Sequence, residues 1–226
     1  MGSSLLGTIG WTISSIVSFI AALILTSAYL KRKERTVKYF AGFIWSRFVF
    51  FICLTLIYPL YVWTKSGIPS GIAITIFFMF VWIAILWLPS LFCSFQFPKL
   101  KNWFFGALVI VAIAGTIILV VNFTPAIFNP GTGIVFQAIP AIIGTVLYPI
   151  PKLLSLAPLM FLFLGKATEM VGRLRLRSLL IGLGFLAVIT TIVVPTYLPP
   201  TWAGIYCCIG DILILAGVMT RPSERE

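Results

Sequence analysis

Long apolar runs separated by short polar breaks dominate the chain, and the breaks predict where helices end. The first run extends from Leu5 to Leu30 and meets the basic segment Lys31, Arg32, Lys33, Glu34, Arg35 and Lys38. A second covers Tyr39 to Trp63, and the turn residues Lys65-Ser66-Gly67-Ile68-Pro69-Ser70-Gly71 separate it from a third over Ile72 to Phe95. So short a turn makes those two helices antiparallel neighbours. Pro98-Lys99-Leu100-Lys101-Asn102 leads to a fourth run over Trp103 to Asn122, closed by Thr124-Pro125 and Asn129-Pro130-Gly131.

The segment Gln137 to Leu164 is apolar throughout yet carries Pro140, Pro149, Pro151 and Pro158. Each interior proline deletes a backbone hydrogen bond, so the pattern predicts an interrupted fifth helix, from Val146 to Leu164, after a short outer apolar segment. A second basic loop, Lys166, Arg173, Arg175 and Arg177, precedes a sixth run over Ser178 to Val194. Leu198-Pro199-Pro200-Thr201 turns the chain into a seventh run over Trp202 to Met219, and a tail follows from Arg221 to Glu226.

A helix crosses the hydrocarbon with about 20 mostly apolar residues, whereas a membrane strand would show short alternating segments. The runs here are long and continuous. They predict an all-α fold: a single integral membrane domain over residues 1–226, a polytopic bundle of seven transmembrane helices in the lipid bilayer of the cell membrane. Composition agrees, because 61% hydrophobic and 9% charged residues over 226 positions exceed what a soluble domain of that size can bury.

Charge then sets the orientation. All of the sixteen basic residues except Arg47, Lys65 and Lys152 fall in the two basic loops, the third-to-fourth connection or the tail, which places the N-terminus outside and the C-terminus in the cytoplasm. Tyr58, Tyr61, Trp63, Tyr197 and Trp202 near the outer ends, with Tyr29, Tyr39 and Trp103 near the inner ends, fit aromatic belts at the two interfaces. The net charge of +11 therefore reads as a membrane-orientation signal and not as a nucleic-acid surface. The first run lacks a basic leading region and a cleavage site, so it is expected to remain as helix one. Met1-Gly2-Ser3-Ser4 lacks the Ser or Thr that a myristoylation signal wants at Leu6, and Asn122-Phe123-Thr124 abuts the membrane and is followed by Pro125, so neither is read as a modification site.

Chemistry is sparse. Histidine is absent, which removes the usual haem ligand, general base and most zinc sites. Cys53, Cys93, Cys207 and Cys208 lie in or at the edge of apolar runs without metal-site spacing and read as packing residues. No cofactor is expected, and without an acid, base and nucleophile set the chain does not read as an enzyme.

Asp211 is the one acidic residue within a span, since Glu34, Glu169, Glu224 and Glu226 sit in cytoplasmic segments. A charge at mid-bilayer costs about 3 kcal/mol on insertion scales, so such a residue needs a partner. Arg47 stands eight residues past Tyr39 and Asp211 eight before Met219, so at about 1.5 Å per residue their depths match. The pair reads as a gate or ligand element on one view and a structural clamp on the other, with Arg47 otherwise able to reach the interface along its stem.

Lys152 is the third candidate, a ligand or ion contact flanked by Pro149 and Pro151, where freed carbonyls could line a polar cavity. Its plainer reading puts the start of helix five near Pro151 and Lys152 at the outer interface. In helix one, Gly10, Ser14, Ser18, Ala22 and Thr26 repeat at four-residue spacing and predict close packing within the chain in preference to dimerisation. Ser178 and Gly182 repeat that theme, and Gly182-Leu183-Gly184 and Gly131-Thr132-Gly133 lack the context of a phosphate loop.

Three passages carry a family resemblance: Ala28-Tyr29-Leu30-Lys31-Arg32-Lys33 leading to Tyr39-Phe40-Ala41, then Arg173 to Gly184, then Gly210 to Gly217. On these the chain loosely resembles the seven-helix membrane sensor modules found at the N-termini of prokaryotic histidine kinases and in stand-alone archaeal proteins. The likeness implies seven spans and signalling through a partner, because no output domain follows Glu226, and it assigns no site residue. Microbial rhodopsins are disfavoured, since Trp202 to Met219 holds no lysine for retinal. Three functions are consistent with these readings: a sensor-like or accessory membrane protein acting through a membrane or cytoplasmic partner, a small-solute or ion transporter using the broken helix five, and a structural subunit of a larger complex. The basic loops suit partner proteins or anionic lipid head groups, and the lack of an evident inverted repeat weighs against transport.

Overall fold

The computed structural model describes residues 2–95, 99, 101–191 and 200–220. Seven α-helices account for most of them: α1 (Leu5–Arg32), α2 (Arg35–Thr64), α3 (Gly67–Phe95), α4 (Lys101–Val121), α5 (Pro149–Glu169), α6 (Gly172–Thr190) and α7 (Pro200–Met219). Six segments are long and apolar enough to cross a membrane: α1, α2, Gly67–Leu88 of α3, Asn102–Val121 of α4, Ile143–Glu169 and Trp202–Met219 of α7. The described part of α6 is not among them, because Arg173, Arg175 and Arg177 fall within its first six residues.

The helices begin and end at places that hydropathy does not mark. The first basic segment was expected to be a loop between Leu30 and Tyr39, but α1 runs on to Arg32 and α2 starts at Arg35. Lysine and arginine are good helix formers, and polarity marks the membrane boundary, not the helix boundary. The chain turns where Lys33 adopts a left-handed conformation (φ 55°) and its N–H closes on the Tyr29 carbonyl at 2.7 Å. Lys65 (φ 52°) ends α2 in the same way on Tyr61, at 2.9 Å. Glycine usually takes this position, so two lysines there leave no sequence signal.

Helix α3 starts at Gly67 and not at Ile72, with Pro69 in the first turn, where its missing N–H is no loss. The second basic loop shrinks to Met170 and Val171, with Lys166 in the last turn of α5 and the three arginines inside α6. The end expected near Val194 and the turn through Leu198 and Pro199 lie outside the described residues, as do Pro98 and the tail from Arg221.

The start of the chain and the connection between α4 and α5 together form a small sheet that the sequence did not announce. Strands β1 (Gly2–Ser3), β2 (Ile127–Asn129) and β3 (Ile134–Phe136) pair antiparallel in the order β1-β3-β2, with Gly2 and Ile127 both opposite Phe136. Strands of two or three residues are too short to show a period of two. Gly133, at φ 66°, closes the hairpin by donating to the Asn129 carbonyl at 2.8 Å. Thr124 of the formal sequon donates its hydroxyl to the Ala138 carbonyl at 2.9 Å.

The fifth helix is indeed interrupted, earlier than expected. Ile143–Leu147 forms one wide turn in which the Tyr148 N–H donates to the carbonyl five residues back, at 2.9 Å, and α5 then starts at Pro149. Prolines explain the break. The Leu147 carbonyl would be paired in a continuous helix by residue 151, which is proline and has no N–H. The indole of Trp82 on α3 supplies the missing donor at 3.0 Å.

Neighbouring helices close a ring in the order α1, α2, α3, α5, α6, α7 and back to α1, and α4 packs against α3 and the wide turn. Contacts fix the directions. Phe50 meets Phe77 and Ser70 reaches Ile57, so α2 and α3 are antiparallel. Gly204 abuts Gly10 while Asp211 meets Ser18, so α7 runs parallel to α1. Two aromatic clusters fill the interior. Phe40 and Phe43 of α2 meet Phe163 and Phe185, and Trp11, Phe50, Phe51, Phe77 and Phe78 pack toward the sheet end. Outward-facing positions such as Ile110, Ile113 and Ile117 of α4 are more than half exposed, and so are Trp63, Trp103 and Trp202 at helix ends.

Candidate functional site: buried charges in the bundle

Helix α2 presents Arg47 inward and α7 presents Asp211, and the two form an ion pair between Arg47 Nε and Asp211 Oδ1. Both are buried, Asp211 completely. Their equal depth, computed along two helices from opposite ends, becomes a contact because α1 brings α2 and α7 together. Ser18 of α1 donates its hydroxyl to Asp211 Oδ2 at 2.5 Å. Arg47 Nη2 donates to the Cys207 carbonyl at 2.7 Å, one turn before Asp211.

Phe43, Phe50 and Phe51 are spaced around Arg47 so that all three lie on its face of α2, and their ring centroids are 5.7, 5.3 and 5.1 Å from the guanidinium carbon. A delocalised guanidinium is weakly hydrated and stacks on aromatic faces, so this surround is one that arginine tolerates and lysine would not. The carboxylate has a partner on each oxygen, and the arginine has the carboxylate, a carbonyl and three rings. Through these contacts one carboxylate joins α1, α2 and α7.

The small-residue stripe of α1 serves the same contact. Ser14 donates to the Gly204 carbonyl, Ser18 binds Asp211, and Ala22 is fully buried. Thr26 instead accepts from the Trp45 indole on α2 at 2.9 Å. A Cβ built on Gly204 would fall within the backbone of Gly10. Gly204→Ala is therefore expected to push α1 and α7 apart and to cost about 1–3 kcal/mol, read as a lower midpoint in detergent-denaturant unfolding; an unchanged midpoint would show that the helices do not approach as closely there. Gly184 and Gly210 make a second close approach, between α6 and α7, which gives the Gly182-Leu183-Gly184 sequence a packing role.

Lys152 is buried within the bundle, 6% exposed, and α5 begins at Pro149, close to the start near Pro151 that its plainer reading expects. Lys152 stands in the first turn of α5, after the wide turn, and faces the end of α6. Its Nζ donates to Thr191 Oγ1 at 2.6 Å and approaches the Tyr148 hydroxyl at 3.5 Å, with the Tyr148 ring centroid 5.4 Å away. The Thr191 hydroxyl in turn donates a hydrogen bond to the Val188 carbonyl at 2.6 Å. Ser155, three residues on along the same helix and 2% exposed, has no hydrogen-bond partner for its hydroxyl among the described residues.

The two clusters are neighbours. Arg47 and Cys207 lie within electrostatic reach of Lys152, and α6 is tied to α7 by a 2.5 Å hydrogen bond between the Thr190 and Tyr206 hydroxyls. Asp211 is paired with Arg47, whereas the polar partners of the Lys152 ammonium are the Thr191 and Tyr148 hydroxyls.

Sequence reasoning picked out Arg47, Asp211 and Lys152 because a charge inside an apolar run is conspicuous. It missed Tyr148, Ser155 and Thr191, whose hydroxyls are common in membrane helices and gain meaning only beside a buried ammonium. Cys53, Cys207 and Cys208 are buried free thiols, and the Cys93 side chain lies outside the described residues.

Fold and site together define a polytopic helical bundle of membrane type with a charged interior cluster. No protein-family model, no curated protein and no solved structure matches the chain.

Proposed function

We propose that this chain is a seven-span membrane protein of the sensor type, N-terminus outside and C-terminus cytoplasmic, that holds a small anionic ligand at Lys152 and acts through a protein partner at its basic cytoplasmic face. The observation that carries this reading is the buried Lys152 ammonium, which has hydroxyl partners but no carboxylate among the described residues. An unpaired charge in a low-dielectric interior is costly, and an anion would offset it. The neighbouring Ser155 hydroxyl is a free donor for the same anion.

Seven spans are supported by the alternation of helix directions and by the parallel run of α1 and α7, which an odd number of crossings produces. In this reading the arginines at the start of α6 belong to the cytoplasmic interface and the segment after Thr190 completes its crossing. Exposed Lys31, Lys33, Arg35, Lys38, Lys166 and Arg175 would then share the cytoplasmic face with the ends of α1, α5 and α7. Resemblance to histidine-kinase membrane modules points the same way. Transport is the second reading, favoured by the proline-broken turn beside Lys152, since wide turns of this kind are frequent at functional sites.

Purification of the full chain in a gentle detergent, with mass spectrometry of associated proteins and small molecules, tests the proposal. A small anion retained by the wild type and lost from folded Lys152→Met, together with a bound protein partner, is the expected result. Equal retention in both proteins removes Lys152 from the site, and uptake of the retained anion into proteoliposomes would favour transport over sensing. A green fluorescent protein fused after Glu226 should fluoresce, and alkaline phosphatase at the same place should be silent; the reverse pattern would invert the topology.

A further inference from the structure

A groove of about 350 Å3 opens between α1 and α7 at the ends where both helices finish. Leu23, Ile24, Ser27 and Ala28 of α1 and Met219 of α7 line it, and Lys31 and Arg32 stand at its end. It is distinct from the charged cluster, which sits further up the same pair of helices at Ser18 and Asp211.

Three features select the occupant. First, the walls are apolar and the rim carries two cations from the last turn of α1. Lys33 is turned away over the Tyr29 ring, 5.7 Å from its centroid. Second, Ile13, Ile16, Ile20 and Leu23 are all more than a third exposed and are spaced by three or four residues. They form one apolar stripe along α1 leading up from the groove. Third, the groove lies at the end of a helix pair whose outer surface is apolar, which is the depth of lipid head groups if the chain spans the bilayer. A soluble anion would use the cations but leave the stripe unexplained, and a neutral lipid would use the stripe but leave the cations unpaired. The volume is at the small end of ligand sites, enough for a head group with chains lying outside it.

We propose that this groove binds one anionic phospholipid, with its phosphate between Lys31 and Arg32 and its acyl chains along the outward stripe of α1. The site depends on membrane residence and is independent of the ligand proposed at Lys152, so either can fail alone. A lipid held here bridges the ends of α1 and α7, the two helices joined by the Arg47–Asp211 cluster.

The test uses the full chain in nanodiscs of mixed phosphatidylglycerol and phosphatidylcholine, followed by native mass spectrometry of the lipid retained. Wild type is expected to keep one phosphatidylglycerol. Retention should fall at least about tenfold in K31Q/R32Q, and equally in Ser27→Trp, which fills the groove from an exposed position without touching its charge. The K166Q/R175Q protein removes the same charge from residues that do not line the groove, and should retain the lipid. Equal loss in the two charge pairs, or full retention in Ser27→Trp, would overturn the site in favour of general attraction to an anionic surface. Should a variant fail to fold, the wild type alone decides: phosphatidylglycerol must raise its unfolding temperature where the same concentrations of phosphatidylcholine and of inorganic phosphate do not. Stabilisation by inorganic phosphate alone would overturn the proposal.

Discussion

Asp211→Leu is expected to destabilise the protein by about 3–5 kcal/mol, because it strands Arg47 in the interior with its charge uncompensated. The carboxylate is fully buried and takes a hydrogen bond on each oxygen, so its removal also leaves the Ser18 hydroxyl without its acceptor. Arg47 cannot readily extend to the interface instead, since Phe43, Phe50 and Phe51 surround it and its Nη2 is committed to Cys207. The double variant Arg47→Met/Asp211→Leu removes both charges and should recover most of the loss, as replacing a whole buried pair by apolar groups is often neutral or favourable. Unfolding by a denaturing detergent, read by circular dichroism, of the wild type, both single variants Arg47→Met and Asp211→Leu, and the double variant closes the cycle. A single-variant loss below about 1 kcal/mol, the range of a surface pair, would mean that water reaches the pair.

Phe185→Ala should cost about 3 kcal/mol, the lower part of the usual range for emptying a core phenylalanine. Phe185 is fully buried and its ring meets Phe40 at 6.0 Å, Phe163 at 6.1 Å and Phe43 at 6.4 Å, so it joins α6 to α2 and α5. In a bilayer the unfolded helices remain in an apolar solvent, which weakens the transfer part of the penalty. The lost dispersion contacts and the cavity persist, and they set the lower figure. Helical content should survive while the unfolding midpoint drops. A change smaller than that of a surface substitution would argue that α6 does not close the ring at this point.

Much of the architecture follows from local information. A run of some 20 apolar residues has one low-energy solution in lipid, a helix that satisfies its own backbone, so the existence and order of the helices follow from hydropathy. Arg47 and Asp211 were legible for the same reason. A charge inside such a run must find a partner, and a fixed rise per residue gives its depth. The small-residue stripe on α1 was legible as a close-packing face, though not that Gly204 and Asp211 of α7 would be what it packs against.

Other features depend on contacts distant in sequence. Helix ends at Lys33 and Lys65 are fixed by left-handed backbone conformations, which lysine does not advertise. The proline break was visible, but the donor that repairs it, Trp82, lies 65 residues away from Leu147. The neighbours of Lys152 were not legible in its sequence, because Tyr148 comes from the end of the wide turn and Thr191 from the end of α6, 39 residues away. The sequence by itself thus determined the helices, their polarity pattern and which charges had to be explained, because those depend on each segment's own transfer into lipid. Only the tertiary structure decided which partners those charges meet, because that depends on the rotation of each helix, and rotation is set by packing against its neighbours.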